Sequence, residues 1–93
     1  MTDLDSLDRD SREFIVQLFR GRCLICFRPG TDVNEIIPRS RGGDSLRWQN
    51  KVLMCHSDHD KYHQHGVNEQ AIEQLQERRI EYLIAIGRED YLE

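Results

Sequence analysis

The sequence predicts a small α+β domain in which two short strands lie between helices. Short segments with apolar residues at 33–37 and 51–54, the first ended by a proline, predict the strands. Apolar residues at three- and four-residue spacing near both ends of the chain predict amphipathic helices. With 93 residues, the chain has room for a single domain, residues 1–93, with a modest core.

The first helix is predicted from about residue 8 to residue 20, and Gly21 is its expected stop. Its apolar stripe consists of Phe14, Ile15, Leu18 and Phe19. The segment 23–30 follows as a tight turn, because it combines a C-x2-C pair with a Pro-Gly dipeptide.

The central part of the chain alternates short elements with a polar loop. The first strand, residues 33–37, ends at a proline, which cannot donate a hydrogen bond to a strand ladder. The loop at residues 39–49 contains a Gly-Gly pair and leads into the second strand, residues 51–54. A short helix is predicted at residues 56–65, before a glycine.

The last helix is predicted at residues 69–86, with Asn68 as its N-cap. Its apolar face consists of Ile72, Leu75, Leu83 and Ile86. Ile80 and Ile84 widen this face. The wider face fits packing against the first helix, or against a second copy of the chain in a homodimer.

Composition predicts a folded domain outside the membrane. Hydrophobic residues are 38% and charged residues 32% of the chain, which is typical of globular proteins. No apolar run approaches the roughly 18 residues of a membrane span, and the acidic start has no signal-peptide pattern. We therefore expect a cytoplasmic protein.

Charge is distributed unevenly along the chain. The formal net charge is −4, but residues 20–51 contain seven basic and three acidic residues. A basic middle between acidic ends is compatible with a local phosphate-binding surface. An ordinary mixed surface explains the same numbers.

The three cysteines indicate metal binding rather than disulfides, because their number is odd and the expected compartment is reducing. Zinc usually takes four such ligands, and a carboxylate can be one of them. The predicted zinc ligands are Cys23, Cys26, Cys55 and Asp58. His56 or His59 could replace Asp58, and simple burial of the cysteines is the remaining alternative.

His59 and His63 are four residues apart, so on a helix both imidazoles lie on one face. This spacing is a common way to present two imidazoles to one metal ion. Surface histidines at the same spacing without a metal are the alternative interpretation.

The order of these motifs resembles the HNH endonuclease family. The resemblance covers about residues 20–65 and consists of C-x2-C, E-I-I-P-R-S-R-G-G, Asn50 and C-x2-D-H-x3-H. It implies a zinc-stapled ββα-metal motif, flanked here by an N-terminal helix and a longer C-terminal helix. It also implies DNA hydrolysis with Mg²⁺ or Mn²⁺ beside the structural zinc.

The resemblance further implies the role of each site residue. Asn34, His59 and His63 correspond to the ligands of the catalytic metal, and Glu35 corresponds to the general base. Asn50 corresponds to the asparagine that holds the loop by bonding backbone. The family has histidine where this chain has Asn34 and Glu35, and cysteine where it has Asp58. A carboxyl group, with an ordinary pKa of about 4.3 against about 6.5 for imidazole, is the weaker base.

The predicted function is therefore a metal-dependent endonuclease that nicks or cuts DNA. Arg39, Arg41 and Arg47 are the expected phosphate contacts, because guanidinium binds phosphate bidentately. Trp48 is interpreted as a core residue rather than a base-stacking one. Small members of the family suggest a bacterial or phage-infected cell, with phage packaging or recombination proteins as partners.

Two other functions fit the same residues. The chain could be a degenerate module of this family that binds DNA or a partner protein without cleavage. It could also be a zinc-stapled adaptor that dimerises through its last helix.

Overall fold

Among the described residues, three α-helices and a two-stranded antiparallel sheet form the fold, which confirms the α+β class. The computed structural model describes residues 4–64 and 66–92. The helices and strands are α1 (Arg12–Leu18), β1 (Asp32–Glu35), β2 (Lys51–Met54), α2 (His56–Gln64) and α3 (Glu69–Ala85). Short 3-10 turns lie at Leu4–Ser6, Arg39–Arg41, Trp48–Asn50 and Glu89–Leu92.

Helix α1 is shorter than the sequence predicts at both ends. Ser11 is its N-cap, and the Ser11 hydroxyl accepts the Phe14 backbone N–H at 3.1 Å. Capping satisfies one of the donors that a helix start leaves unpaired, so the helix begins at residue 12 instead of about residue 8. The helix ends before Arg20 and Gly21, whose backbones are in the left-handed region, with φ of 56° and 70°.

The two strands pair with Asp32 opposite Met54 and Glu35 opposite Lys51. Strand β1 is therefore residues 32–35 rather than 33–37. The chain beyond it still follows β2, because Ile36 donates its backbone N–H to the Asn50 carbonyl at 2.8 Å. Strand β2 has the predicted bounds.

Alternation along β1 places Asp32 and Asn34 on one face of the sheet. Helix α2 packs against this strand, and Tyr62 anchors it by donating its hydroxyl to the Ile36 carbonyl at 2.6 Å. The last residue predicted for this helix, residue 65, lies outside the described residues. The packing of α2 on β1 brings two histidine side chains over the polar face of the strand.

Helix α3 begins as predicted, since the Asn68 side chain accepts the Ala71 backbone N–H at 2.8 Å. Its apolar face is anchored to α1: Tyr82 donates its hydroxyl to the Leu18 carbonyl at 2.8 Å and stacks on Phe19. Ile80 and Ile84 stay 43% and 51% exposed. The described helices are too short or too polar to span a membrane.

The hydrophobic core lies between α1, the sheet and the segment that contains Tyr91. Trp48 and Tyr91 both meet Phe14 edge to face, with ring centroids 5.7 and 5.5 Å apart. Trp48 is 8% exposed, which supports its interpretation as a core residue. Tyr91 is fully buried, although it lies beyond the last predicted helix. The predicted stripe of Phe14, Ile15, Leu18 and Phe19 is buried in full.

Candidate functional site

The cysteines and one aspartate form a compact cluster beside the sheet. A tight turn presents the first pair, since Phe27 donates its backbone N–H to the Cys23 carbonyl at 2.9 Å. Cys55 follows β2 directly, and Asp58 lies in the first turn of α2. One ligand atom from each of these four residues lies within 4.8 Å of the others.

The dimensions of this cluster fit a tetrahedral metal ion. The Sγ atoms of Cys26 and Cys55 are 3.7 Å apart, and thiolates about 2.3 Å from a tetrahedral zinc are ~3.8 Å apart. An Asp58 carboxylate oxygen lies 3.4 Å from Cys23 Sγ and 3.3 Å from Cys55 Sγ. Three thiols and a carboxylate can therefore hold a metal ion, and their chemistry is compatible with structural zinc.

The alternative fourth ligands lie elsewhere. The Nδ1 atoms of His56 and His59 are 3.0 and 2.9 Å from a carboxylate oxygen of Asp32. This arrangement favours Asp58 over either histidine as the fourth member of the cysteine cluster.

Protons compete with a metal at this cluster. The Arg28 backbone favours the Cys26 thiolate, but hydrogen bonding to Asp58, burial and the other two cysteines raise the pKa of Cys26 to about 12. A metal ion must displace such a proton, so its affinity should fall as the pH falls.

A second polar cluster lies where α2 crosses β1. Asn34 is 1% exposed, and its Oδ1 atom is 2.7 Å from His63 Nε2. The His59 ring stands edge to face with the His63 ring, at a centroid separation of 4.9 Å. The fold thus brings together the three side chains that correspond, by the family resemblance, to ligands of a catalytic metal.

Partial desolvation of the His63 ring, which stays largely exposed, lowers the pKa of His63, and the nearby His59 lowers it further. The charge of Glu35 opposes both effects. A lowered pKa keeps the imidazole neutral at neutral pH, which is the form that binds metal ions.

Glu35 lies at the end of β1, opposite Lys51, and is partly buried. Its carboxylate is near enough to His63 to act on that ring electrostatically. Within residues 4–64 and 66–92, no hydrogen bond or ion pair fixes it. Glu35 therefore lies beside the histidine cluster, close enough for its charge to act on the His63 ring.

Asn50 braces the start of the polar loop. It accepts the Ile37 backbone N–H at 2.9 Å and donates to the Ile37 carbonyl at 2.9 Å and to the Asp44 carbonyl at 3.3 Å. These contacts match the loop-holding role that the family resemblance implies for Asn50.

Replacing Asn50 with alanine should lower the free energy of unfolding by about 2 kcal/mol, because it leaves backbone groups of Ile37 without their partners. Asn50→Asp should be similarly costly, because it places a carboxylate against two carbonyls. Urea denaturation followed by circular dichroism measures both. An Asn50→Ala chain as stable as the unsubstituted one would show that these contacts do not hold the loop.

The predicted DNA-contacting arginines are all on the surface. Arg39 and Arg41 lie in the 3-10 turn after Pro38, and Arg47 precedes the turn that contains Trp48. All three are exposed. The basic loop therefore lies next to Asn50 in the chain and is accessible to a ligand.

Two residues of the site were missed in the sequence. Asp32 contacts both His56 and His59, and Tyr62 ties α2 to β1. Two-residue alternation could have pointed to Asp32, because it shares a strand face with Asn34.

Comparisons with protein-family models, curated proteins and solved structures found no match to the chain.

Proposed function

We propose that the chain is a small HNH-type endonuclease that hydrolyses DNA phosphodiester bonds with the help of Mg²⁺ or Mn²⁺. The observation that carries the proposal is the meeting of Asn34 with His63 and His59 at the crossing of β1 and α2. Asn34 and His63 are 29 positions apart in the sequence, so their contact depends on the packing of α2 on β1 and not on helical spacing alone.

The residues around the cluster of Asn34, His59 and His63 also support an endonuclease. Asn50 holds the loop that follows β1, and that loop carries exposed arginines suited to phosphate. The cysteine cluster ties the turn before β1 to the start of α2. We propose that zinc in this cluster staples a ββα-metal motif.

In this proposal Asn34, His59 and His63 would hold the catalytic cation. A bound divalent cation would neutralise negative charge on the scissile phosphate and the leaving oxygen. Glu35, which lies beside His63, takes a proton from the attacking water as general base. Arg39, Arg41 and Arg47 bind the flanking phosphates.

The test is nicking of supercoiled plasmid by zinc-loaded protein, with Mg²⁺, with Mn²⁺ and without either. His59→Ala, His63→Ala and Glu35→Ala should each lower the rate at least 100-fold, in line with losses of about 10²–10⁴ for such groups. Gln64→Ala, an exposed substitution at the end of the same helix, is the control and should leave the rate unchanged.

Thermal melting of every variant separates loss of chemistry from loss of fold. Nicking that survives both Glu35→Ala and His59→Ala would contradict the assigned roles. Nicking at the same rate without a divalent cation would contradict a metal-dependent mechanism.

A second function, DNA or partner binding without cleavage, is favoured by the chemistry of the three proposed ligands. Asn34, His59 and His63 contribute no carboxylate, whereas Mg²⁺ prefers charged oxygen ligands. Substituting histidine at both Asn34 and Glu35 distinguishes the two functions. A gain of nicking from an inactive parent would support the second function, and an active parent would exclude it.

A further inference from the structure

The Asp32 carboxylate contacts two histidine side chains, one of which, His59, is a proposed cation ligand. A single carboxylate oxygen, Oδ2, lies 2.9 Å from His59 Nδ1 and 3.0 Å from His56 Nδ1. The side chains of Asp32 and His59 are only 24% and 29% exposed, whereas that of His56 is 75% exposed. The contact with His59 is therefore the better protected of the two.

The chemistry of this contact fixes where the hydrogen lies. An aspartate carboxyl group, with an ordinary pKa of about 3.9, is ionised at neutral pH and can only accept a hydrogen bond. Because Asp32 Oδ2 lies 2.9 Å from His59 Nδ1, the hydrogen of this bond must be on Nδ1. A neutral His59 ring with hydrogen on Nδ1 has its lone pair on Nε2.

We propose that Asp32 is a positioning residue that holds His59 in the Nδ1–H tautomer and thereby presents Nε2 to a divalent cation. This inference deepens the proposed function and depends on it for the cation. Histidine ligands in metalloproteins commonly donate their second ring N–H to a carboxylate, which fixes the ring and increases its basicity. Asp32 provides such a carboxylate next to a ligand set that otherwise has none.

The position of Asp32 in the fold makes this role specific. Strand alternation puts Asp32 and Asn34 on the same face of β1, toward α2. Asp32 thus contacts the first proposed histidine ligand, His59, while Asn34 contacts the second, His63. Each ring is held by one residue of the strand.

The first measurement is the tautomer of His59 in the zinc-loaded chain, read from two-bond ¹H–¹⁵N correlations of the imidazole. The spectra are recorded without another cation or DNA at about pH 8, above the ordinary histidine pKa of about 6.5. The unsubstituted chain should show hydrogen on Nδ1. Asp32→Ala should shift His59 toward hydrogen on Nε2, and Asp32→Asn, which keeps an accepting oxygen, should restore Nδ1–H.

Asp60→Ala is the matched control. Asp60 is also a carboxylate beside this histidine pair, but it contacts His56 Nε2 at 3.3 Å and is 69% exposed. It should leave the His59 tautomer unchanged. Hydrogen on Nε2 of His59 in the unsubstituted chain, or on Nδ1 after Asp32→Ala, would overturn the proposal.

The second measurement is Mn²⁺ affinity, followed by electron paramagnetic resonance on the zinc-loaded chain. Asp32→Ala should weaken binding about 10- to 100-fold, as the loss of such an outer partner typically does, while Asp60→Ala should not. Equal affinities for Asp32→Ala and the unsubstituted chain would overturn the positioning role. An unsubstituted chain that shows the expected tautomer but neither binds Mn²⁺ nor nicks DNA would instead contradict the endonuclease.

Discussion

Removing the proposed structural zinc from the cysteine cluster is expected to unfold the protein at room temperature. The cluster links the turn before β1 to the end of β2 and the first turn of α2. Structural zinc contributes roughly 10–16 kcal/mol in zinc-finger peptides, whereas a whole small domain is stable by only about 5–15 kcal/mol. Loss of the ion should therefore remove most or all of the folding free energy.

The measurement is thermal melting of protein with one equivalent of zinc, before and after a chelator. Cys23→Ser should unfold the chain in the same way, because Cys23 is buried and central to the cluster. Asp58→Cys should increase zinc affinity, since it completes a set of four thiolates. A melting temperature that the chelator leaves unchanged would exclude a structural metal at this cluster.

Gly43→Ala is expected to lower the free energy of unfolding by about 3 kcal/mol, the upper end of the usual cost of overpacking. A Cβ atom at residue 43 would lie 1.7 Å from the Ile37 carbonyl oxygen and 2.5 Å from its carbon. The obstacle is backbone, and Asn50 holds that same carbonyl in place. The loop must therefore move away from the sheet. The rate of the proposed plasmid nicking should decrease as a result.

Gly42→Ala is the matched control for this substitution. Gly42 is left-handed, with φ of 85°, but nothing lies within 4 Å of a Cβ atom there. It should cost about 1–2 kcal/mol through backbone strain alone. The side-chain amide resonances of Asn50 should move in the Gly43→Ala chain and stay in place in the Gly42→Ala chain. Unmoved resonances in both would contradict the steric argument.

Much of the local structure could be predicted from the sequence. Asn68 caps α3 as expected, β2 has its predicted bounds, and the apolar stripe of α1 is buried. These features depend on residues close together in the chain, where spacing and capping chemistry act directly. The start of α1 was predicted wrongly because an apolar stripe says little about which polar residue before it becomes the cap.

The candidate site was predicted less evenly. The four-residue spacing predicted that His59 and His63 lie on one helix face. The sequence also indicated both parts of the cysteine cluster, the C-x2-C pair and the segment that begins at Cys55. The contact of His59 with Asp32 was missed, because the two residues are 27 positions apart. Tyr91 was missed for a similar reason: its burial depends on Phe14, at the other end of the chain.

The sequence by itself determined the element types, the three cysteines of the cluster, and the presence of two imidazoles on one side of a short helix. Only the tertiary structure decided which strand residue each imidazole meets: Asp32 for His59 and Asn34 for His63. The physical reason is that these contacts depend on where α2 crosses β1. That crossing is set by the strand register, by the Tyr62 anchor and by the cluster around Asp58, which no local pattern encodes.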